Sequence, residues 1–190
     1  MAPPSVGRQI QGTVREVFRE RLVPGRECDG CIVCCKILDI NWAELKKPSG
    51  IICPHNTGQG CGIHATRPDG CRTWFCLWRR IDELPEYTRP DRIGVMFSID
   101  WRDPPRTPFE NFYIVARALN GWQDFDQPQA AAAVRMFVEE GTLPVWLSFN
   151  GNKLLIYPNK ELADAVTNPA SAAEHLRPPV EVWRKRLNLD

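Results

Sequence analysis

All eight cysteines of this 190-residue chain fall between Cys28 and Cys76. They begin as a tight run, Cys28-Asp-Gly-Cys31-Ile-Val-Cys34-Cys35, and continue as Cys53, Cys61, Cys71 and Cys76. No apolar h-region follows the early Arg8, so the reading is a cytoplasmic chain. A reducing compartment does not hold four disulfides, and dense cysteines there point to metal or redox chemistry. The stretch is rich in Gly and Pro and poor in hydrophobic periodicity. It has too little continuous apolar surface to fold alone, and a bound metal would supply the missing free energy.

Thiolates bind soft or borderline cations, and sites are built from short-spaced pairs because a tight turn aims two sulfurs at one ion. Cys28, Cys31 and Cys34 stand in the C-x2-C-x2-C register of ferredoxin-type iron–sulfur proteins. Cys53 precedes Pro54, as the last ligand of such a run does, and Cys71-x4-Cys76 adds a further pair. A thioredoxin-like role for Cys28 and Cys31 lacks the expected βαβ surroundings. Adjacent Cys34 and Cys35 diverge in extended backbone. Either they serve different metals, or one ligates while the other is a supporting or reactive thiol. Two sites of four sulfurs use every cysteine; a single four-iron cluster leaves four over.

The tripod spacing, with Trp74, Phe75 and Trp78 able to shield a cluster from water, favours iron or an iron–sulfur cluster. The Cys-Asp-Gly-Cys turn, which resembles a zinc knuckle, makes zinc the alternative. Four thiolates around zinc, or around an oxidised four-iron cluster, leave a charge of about −2 that nearby cations must offset. Arg26, Lys36, Arg67, Arg72, Arg79 and Arg80 lie in or beside the region, and Arg72, next to Cys71, is the leading cofactor-binding candidate. His55 and His64 are either turn and surface residues or replacements for a thiolate. His175 lies in a polar tail and receives no role. Gly58-x-Gly60-x-Gly62 neither follows a strand nor opens a helix, so it reads as a turn returning the chain to Cys61.

The run Cys28-x2-Cys31-x2-Cys34-Cys35, then Cys53-Pro54, then Cys61-Gly-Ile-His-Ala-Thr-Arg67-Pro68-Asp-Gly-Cys71-Arg72-Thr-Trp-Phe75-Cys76, closely resembles the CxxCxxCC cysteine-cluster family (YkgJ-type). The resemblance covers about residues 26–78 and includes all eight cysteine positions; His64 stands where a Tyr or Phe is typical. It implies a zinc- or iron-chelating domain and says nothing about residues 90–190.

Composition bounds the remainder. The apolar fraction of 43% suffices for a packed core. A net charge of +1 gives no field that would recruit nucleic acid or anionic lipid, and no apolar run approaches the roughly 20 residues needed to cross a bilayer. Three segments are expected: an N-terminal helix within 1–25, the cysteine module at 26–80 and an α+β region at 81–190. The helix spans 9–22 and ends at Pro24-Gly25. Strands are predicted over 92–99 and 111–119. Asp126 with Gln129 resembles a capping box for a helix over 127–140 that Gly141 stops. Asn150-Gly151 joins two hairpin strands, and helices follow near 159–166 and 179–187. The expected fold class is α+β: a small metal-stabilised cysteine module packed on a short antiparallel sheet with a few helices. No acid/base dyad stands out, so enzymatic activity is left open. The expected function is an iron or iron–sulfur protein of redox or modification chemistry. The alternatives are a zinc-folded module for a partner protein, or metal storage and delivery.

Overall fold

The computed structural model describes residues 22–189, so the helix expected over 9–22 lies outside the described residues except for Leu22. The cysteine segment builds only short elements. Helix α1 (Val33–Ile37) is a single turn whose Val33 and Ile37, four apart, both face inward. Strands β1 (Ile40–Asn41) and β2 (Lys46–Lys47) pair antiparallel. Helix α2 (Asp69–Thr73) starts after Pro68, and a 3-10 turn covers Leu77–Arg79. Helix α3 (Pro90–Ile93) opens on a proline and stops at Gly94, whose φ of 69° is left-handed.

The second half is a four-stranded sheet in the order β3 (Val95–Asp100), β4 (Tyr113–Ala118), β5 (Val145–Phe149), β6 (Asn152–Tyr157). An antiparallel sheet was the expectation, and it holds for β3–β4 and β5–β6. The central pair β4–β5 is parallel. The reason is helix α4 (Pro128–Glu140), which lies between them in sequence and returns the chain to the starting end of the sheet. No capping box forms at α4: Pro128 takes the first helical position, Gln127 precedes it without a side-chain cap, and Asp126 ends a 3-10 turn instead. Gly141, with φ of 68°, stops the helix as expected. The β5–β6 turn uses Asn150 and Gly151, both at positive φ, the geometry that matches strand twist.

Each sheet face has its own packing, because side chains alternate along a strand. Val95, Phe97, Ile114, Ala116 and Val145 pack against Ala130, Ala133 and Phe137 of α4. The ring centroids of Phe97 and Phe137 lie 4.9 Å apart. On the opposite face Trp146 and Leu155 meet helices α5 (Lys160–Thr167) and α6 (Arg177–Leu187), where Val166, Val180, Trp183 and Leu187 are buried. On that same face, by register, lie Met96, Ser98, Asp100, Tyr113, Arg117, Ser148 and Lys153. Met96 packs against the cysteine module. The fold class is therefore α+β. Among the described residues no helix is long and apolar enough to cross a membrane.

Candidate metal centre

Tight turns present the thiols. Cys31 N donates to Cys28 O at 2.6 Å, with Gly30 at φ +70° between them, a conformation only glycine adopts freely. Cys34 and Cys35 sit side by side on α1. Cys53 is tied to this helix by its own N–H, which donates to Cys35 O at 2.8 Å. The glycine-rich segment is the expected turn: Thr57 N donates to Gly60 O at 3.0 Å, and a bridge pairs Asn56 with Cys61. Cys71 rides on α2, and Cys76 caps the Leu77–Arg79 turn.

All eight thiols are free and line one cavity of about 420 Å³. Trp42, Trp74, Phe75 and Met96 form apolar parts of its wall, and His55 and His64 border it. Trp78 lies apart, between the guanidinium groups of Arg26 and Arg89 at 5.3 and 5.6 Å from the ring. Among the described residues no three His, Cys, Asp or Glu side chains form a group that could hold a metal ion as they stand. The sulfurs ring a space rather than meet at a point.

Two sets emerge within the ring. Negative charge on Cys28 and Cys31 acts on both Cys34 and Cys76, while Cys35, Cys53 and Cys61 act on Cys71; Cys35 also acts on Cys34, so the two groups touch there. Packing divides the same way. Cys31, Cys34 and Cys76 lie against Val33, Ile37 and Met96, whereas Cys35, Cys53 and Cys71 lie with Ile40 and Leu45. The sets are thus Cys28, Cys31, Cys34, Cys76 and Cys35, Cys53, Cys61, Cys71. Adjacent Cys34 and Cys35 fall one in each.

Burial pushes the Cys28 and Cys31 thiols above the ordinary value, and Cys76 up to about 11. Backbone N–H groups oppose this, from Val33 at Cys31 and from Arg79 and Trp78 at Cys76. Such bonds favour the thiolate and tune a sulfur-ligated metal. At the junction the Cys34 thiol donates to the Cys35 sulfur, which raises Cys34 and holds Cys35 down at about 6. Asn56 and the positive charge of Lys47 add to the lowering at Cys35.

The cations are distributed differently from the sequence expectation. Arg72 is half exposed and bonds Asp69, its Nε donating at 3.1 Å; it does not line the cavity. Arg26 donates to the carbonyls of Trp78, Ile81 and Leu84, and Arg80 to those of Thr73 and Phe75, so both brace loops. Arg67 and Arg79 do line the cavity. The Arg79 side chain is 7% exposed, its Nη2 lies 3.4 Å from Glu27, and its Nε and Nη1 have no hydrogen-bond partner among the described residues. Its charge acts on Cys28. Lys47, 4% exposed, donates to the carbonyls of Lys36, Leu38 and Pro48 and is attracted to Cys53 and Cys35. Sequence reasoning missed Lys47; the available signal was its place in Lys46-Lys47, where strand alternation turns one of two neighbours inward. His175 pairs with Glu161 at 3.7 Å on the exterior.

Fold and site together define an α+β protein with a thiol-lined cavity flanked by buried cations. The chain matches no protein-family model, and neither a curated protein nor a solved structure is significantly similar to it.

Proposed function

We propose that the chain is a metal protein whose eight thiolates hold two four-sulfur centres, formed by Cys28, Cys31, Cys34, Cys76 and by Cys35, Cys53, Cys61, Cys71. The observation that carries this reading is the gathering of every cysteine around one cavity, with Cys31, Cys34, Cys76 and Cys35, Cys53, Cys71 divided between two packing clusters. The residues suit anionic centres: Arg79 is a buried cation beside Cys28, Lys47 one beside Cys53, Cys35 and Cys34, and backbone N–H groups point at Cys31 and Cys76. Deprotonating several raised thiols needs a strong electrophile, which a metal supplies.

Iron in polynuclear form is favoured. A single zinc ion with Zn–S of about 2.3 Å draws its sulfurs to about 3.8 Å from one another, whereas these thiols surround a hollow of about 420 Å³. A cluster spreads its ligands over several irons and occupies more of such a hollow than a lone ion does. When bound it would supply one-electron redox chemistry; the chain's own part is to hold the sulfurs, screen them with Trp42, Trp74 and Phe75, and balance their charge. Zinc is the second reading, favoured by the N–H groups aimed at Cys31 and Cys76 from two and three residues on, as in a zinc knuckle.

Anaerobic purification with elemental analysis and a visible spectrum separates the two. Iron and broad charge-transfer absorption support the cluster, and a colourless protein with two zinc ions supports the knuckle. Cys71→Ser and Cys76→Ser should each lose about half the metal and retain the other half. Full metal content in both variants, or complete loss in both with the fold intact, refutes the division into two sets.

A further inference from the structure

A second cavity, of about 690 Å³, lies between the cysteine module and the sheet. Its volume falls in the range of small-molecule sites. The floor is a row of polar side chains on the face of the sheet that elsewhere packs Met96 and Trp146. Asp100 stands opposite Tyr113, Arg117 opposite Ser148, and Ser148 opposite Lys153, so the row crosses all four strands. Tyr113 is 2% exposed, and Ser98, Ser148 and Glu110 are also buried. Hydrophobic stabilisation does not account for such a row on a covered sheet face; its residues are organised for polar contact.

The charges of the cavity are unequally committed. Arg117 donates to Ser98 Oγ at 2.6 Å and to Asp100, and Ser98 Oγ donates to Asp100 at 2.9 Å, so that trio satisfies itself. Glu110 accepts the Arg106 backbone N–H at 2.9 Å and stands 4.0 Å from Arg102. Lys153 donates to the Tyr113 hydroxyl and lies 4.6 Å over its ring; it meets no carboxylate at ion-pair distance among the described residues. Its ammonium has three protons, of which one is used. Arg106, also in the cavity wall, has no carboxylate at ion-pair distance from its guanidinium among the described residues. Partial burial of its ammonium end lowers the lysine below its ordinary value, although Asp100 and Glu110 pull the other way from beyond ion-pair distance. Flat apolar surface borders these donors. Trp101, 64% exposed, stacks on Phe112 at 6.0 Å, and Trp42, Trp74 and Trp146 complete the aromatic wall.

We propose that this cavity binds a small organic anion with a planar aromatic body. Its carboxylate or phosphate oxygens accept from Lys153 and Arg106, and its ring lies against Trp101 and the neighbouring indoles. The site is independent of which metal the thiols hold. Trp42 and Trp74 line both cavities, so the ligand sits one indole away from the thiols.

The test is calorimetric titration of the full-length protein, as purified, with 2-naphthoate and 2-naphthyl phosphate. Neutral 2-naphthamide, acetate and inorganic phosphate are the controls. At least one naphthyl anion should bind, with every control at least about tenfold weaker; the stronger of the two anions identifies the headgroup. Lys153→Met should weaken binding about 10- to 100-fold, the range expected for a lost hydrogen bond to a charged group. Arg106→Gln, an exposed change compatible with folding, should weaken it at least threefold, and Trp101→Ala about 2- to 10-fold. Metal content and circular dichroism should not change in the Arg106→Gln and Trp101→Ala variants. Absence of binding by both naphthyl anions overturns the proposal. So does naphthamide binding as tightly as naphthoate, inorganic phosphate as tightly as naphthyl phosphate, or unchanged affinity in folded Lys153→Met and Arg106→Gln.

Discussion

Replacing Arg79 with methionine should have opposite effects on the metal-free and metal-loaded protein. The guanidinium is nearly enclosed, and two of its nitrogens have no hydrogen-bond partner among the described residues. Each unsatisfied buried donor costs about 1–3 kcal/mol. The contact with Glu27, whose carboxylate is mostly exposed, returns about 0–1 kcal/mol. The face of Phe75, 5.6 Å away, returns about 0.5–1 kcal/mol. In the thiol form Arg79 is therefore a net burden of about 0–5 kcal/mol, centred near 3, and methionine, which keeps most of the volume, relieves it. In the loaded form the same cation faces sulfur ligands carrying net negative charge. Losing it should weaken metal affinity about 10- to 100-fold, or roughly 1.4–2.8 kcal/mol. Competition against a chromogenic chelator measures the affinity, and urea unfolding with and without chelator measures the two stabilities. Arg79→Lys, which keeps the charge, should fall between. If the chelated chain is unfolded, the competition titration alone decides. Wild-type metal affinity in Arg79→Met, with a less stable chelated protein, would reduce Arg79 to a packing residue and refute the reasoning.

Two further outcomes follow from the geometry. A Cβ at Gly70 would fall well inside van der Waals contact with the Trp42 indole. Gly70→Ala should therefore lower the unfolding free energy by about 1–2 kcal/mol, overpacking of about 1–3 kcal/mol being partly offset by the helix preference of alanine; an unchanged urea midpoint would show that the indole yields freely. Burial raises the Tyr113 phenol from 10 to about 12. Its contribution is fully present below pH 10 and is lost as pH rises through 12, because the unfolded chain ionises first. The stability of the wild type relative to Tyr113→Phe should fall by at most about 2–3 kcal/mol between pH 9 and 12, and a difference that stays flat or rises would mean that the phenolate is well solvated.

Local pattern carried most of the second half of the fold. Asn150-Gly151 marked its hairpin, and Val180, Trp183 and Leu187, aligned on one side of a predicted helix, are the buried residues of α6. Strand direction was not legible: the parallel β4–β5 pair follows from where α4 sends the chain, which no window of residues encodes. Proximity along the chain misled at Arg72. It neighbours Cys71 on α2, but the helix turns it outward to Asp69. Arg79 comes three residues after Cys76 in a 3-10 turn, where residues i and i+3 eclipse, and its N–H donates to Cys76 O at 3.1 Å. The divergence expected of Cys34 and Cys35 in extended backbone is not what the structure shows: both lie on the single helical turn α1, and the Cys34 thiol reaches the Cys35 sulfur. The partners that each takes come from Cys53, Cys61, Cys71 and Cys76 through loops without periodicity, and these required the structure.

The sheet has two outer strands, and they are guarded by unlike means. Strand β6 begins at the exposed Asn150-Gly151 turn and Asn152, whose polar side chain discourages a second chain from pairing there. Strand β3 is apolar and buried from Val95 to Phe97, and its outer neighbourhood is the Leu77–Arg79 turn rather than a fifth strand. The cysteine module thus doubles as an edge guard, and a chain whose module has come undone would present an unpaired, aggregation-prone ribbon to its neighbours.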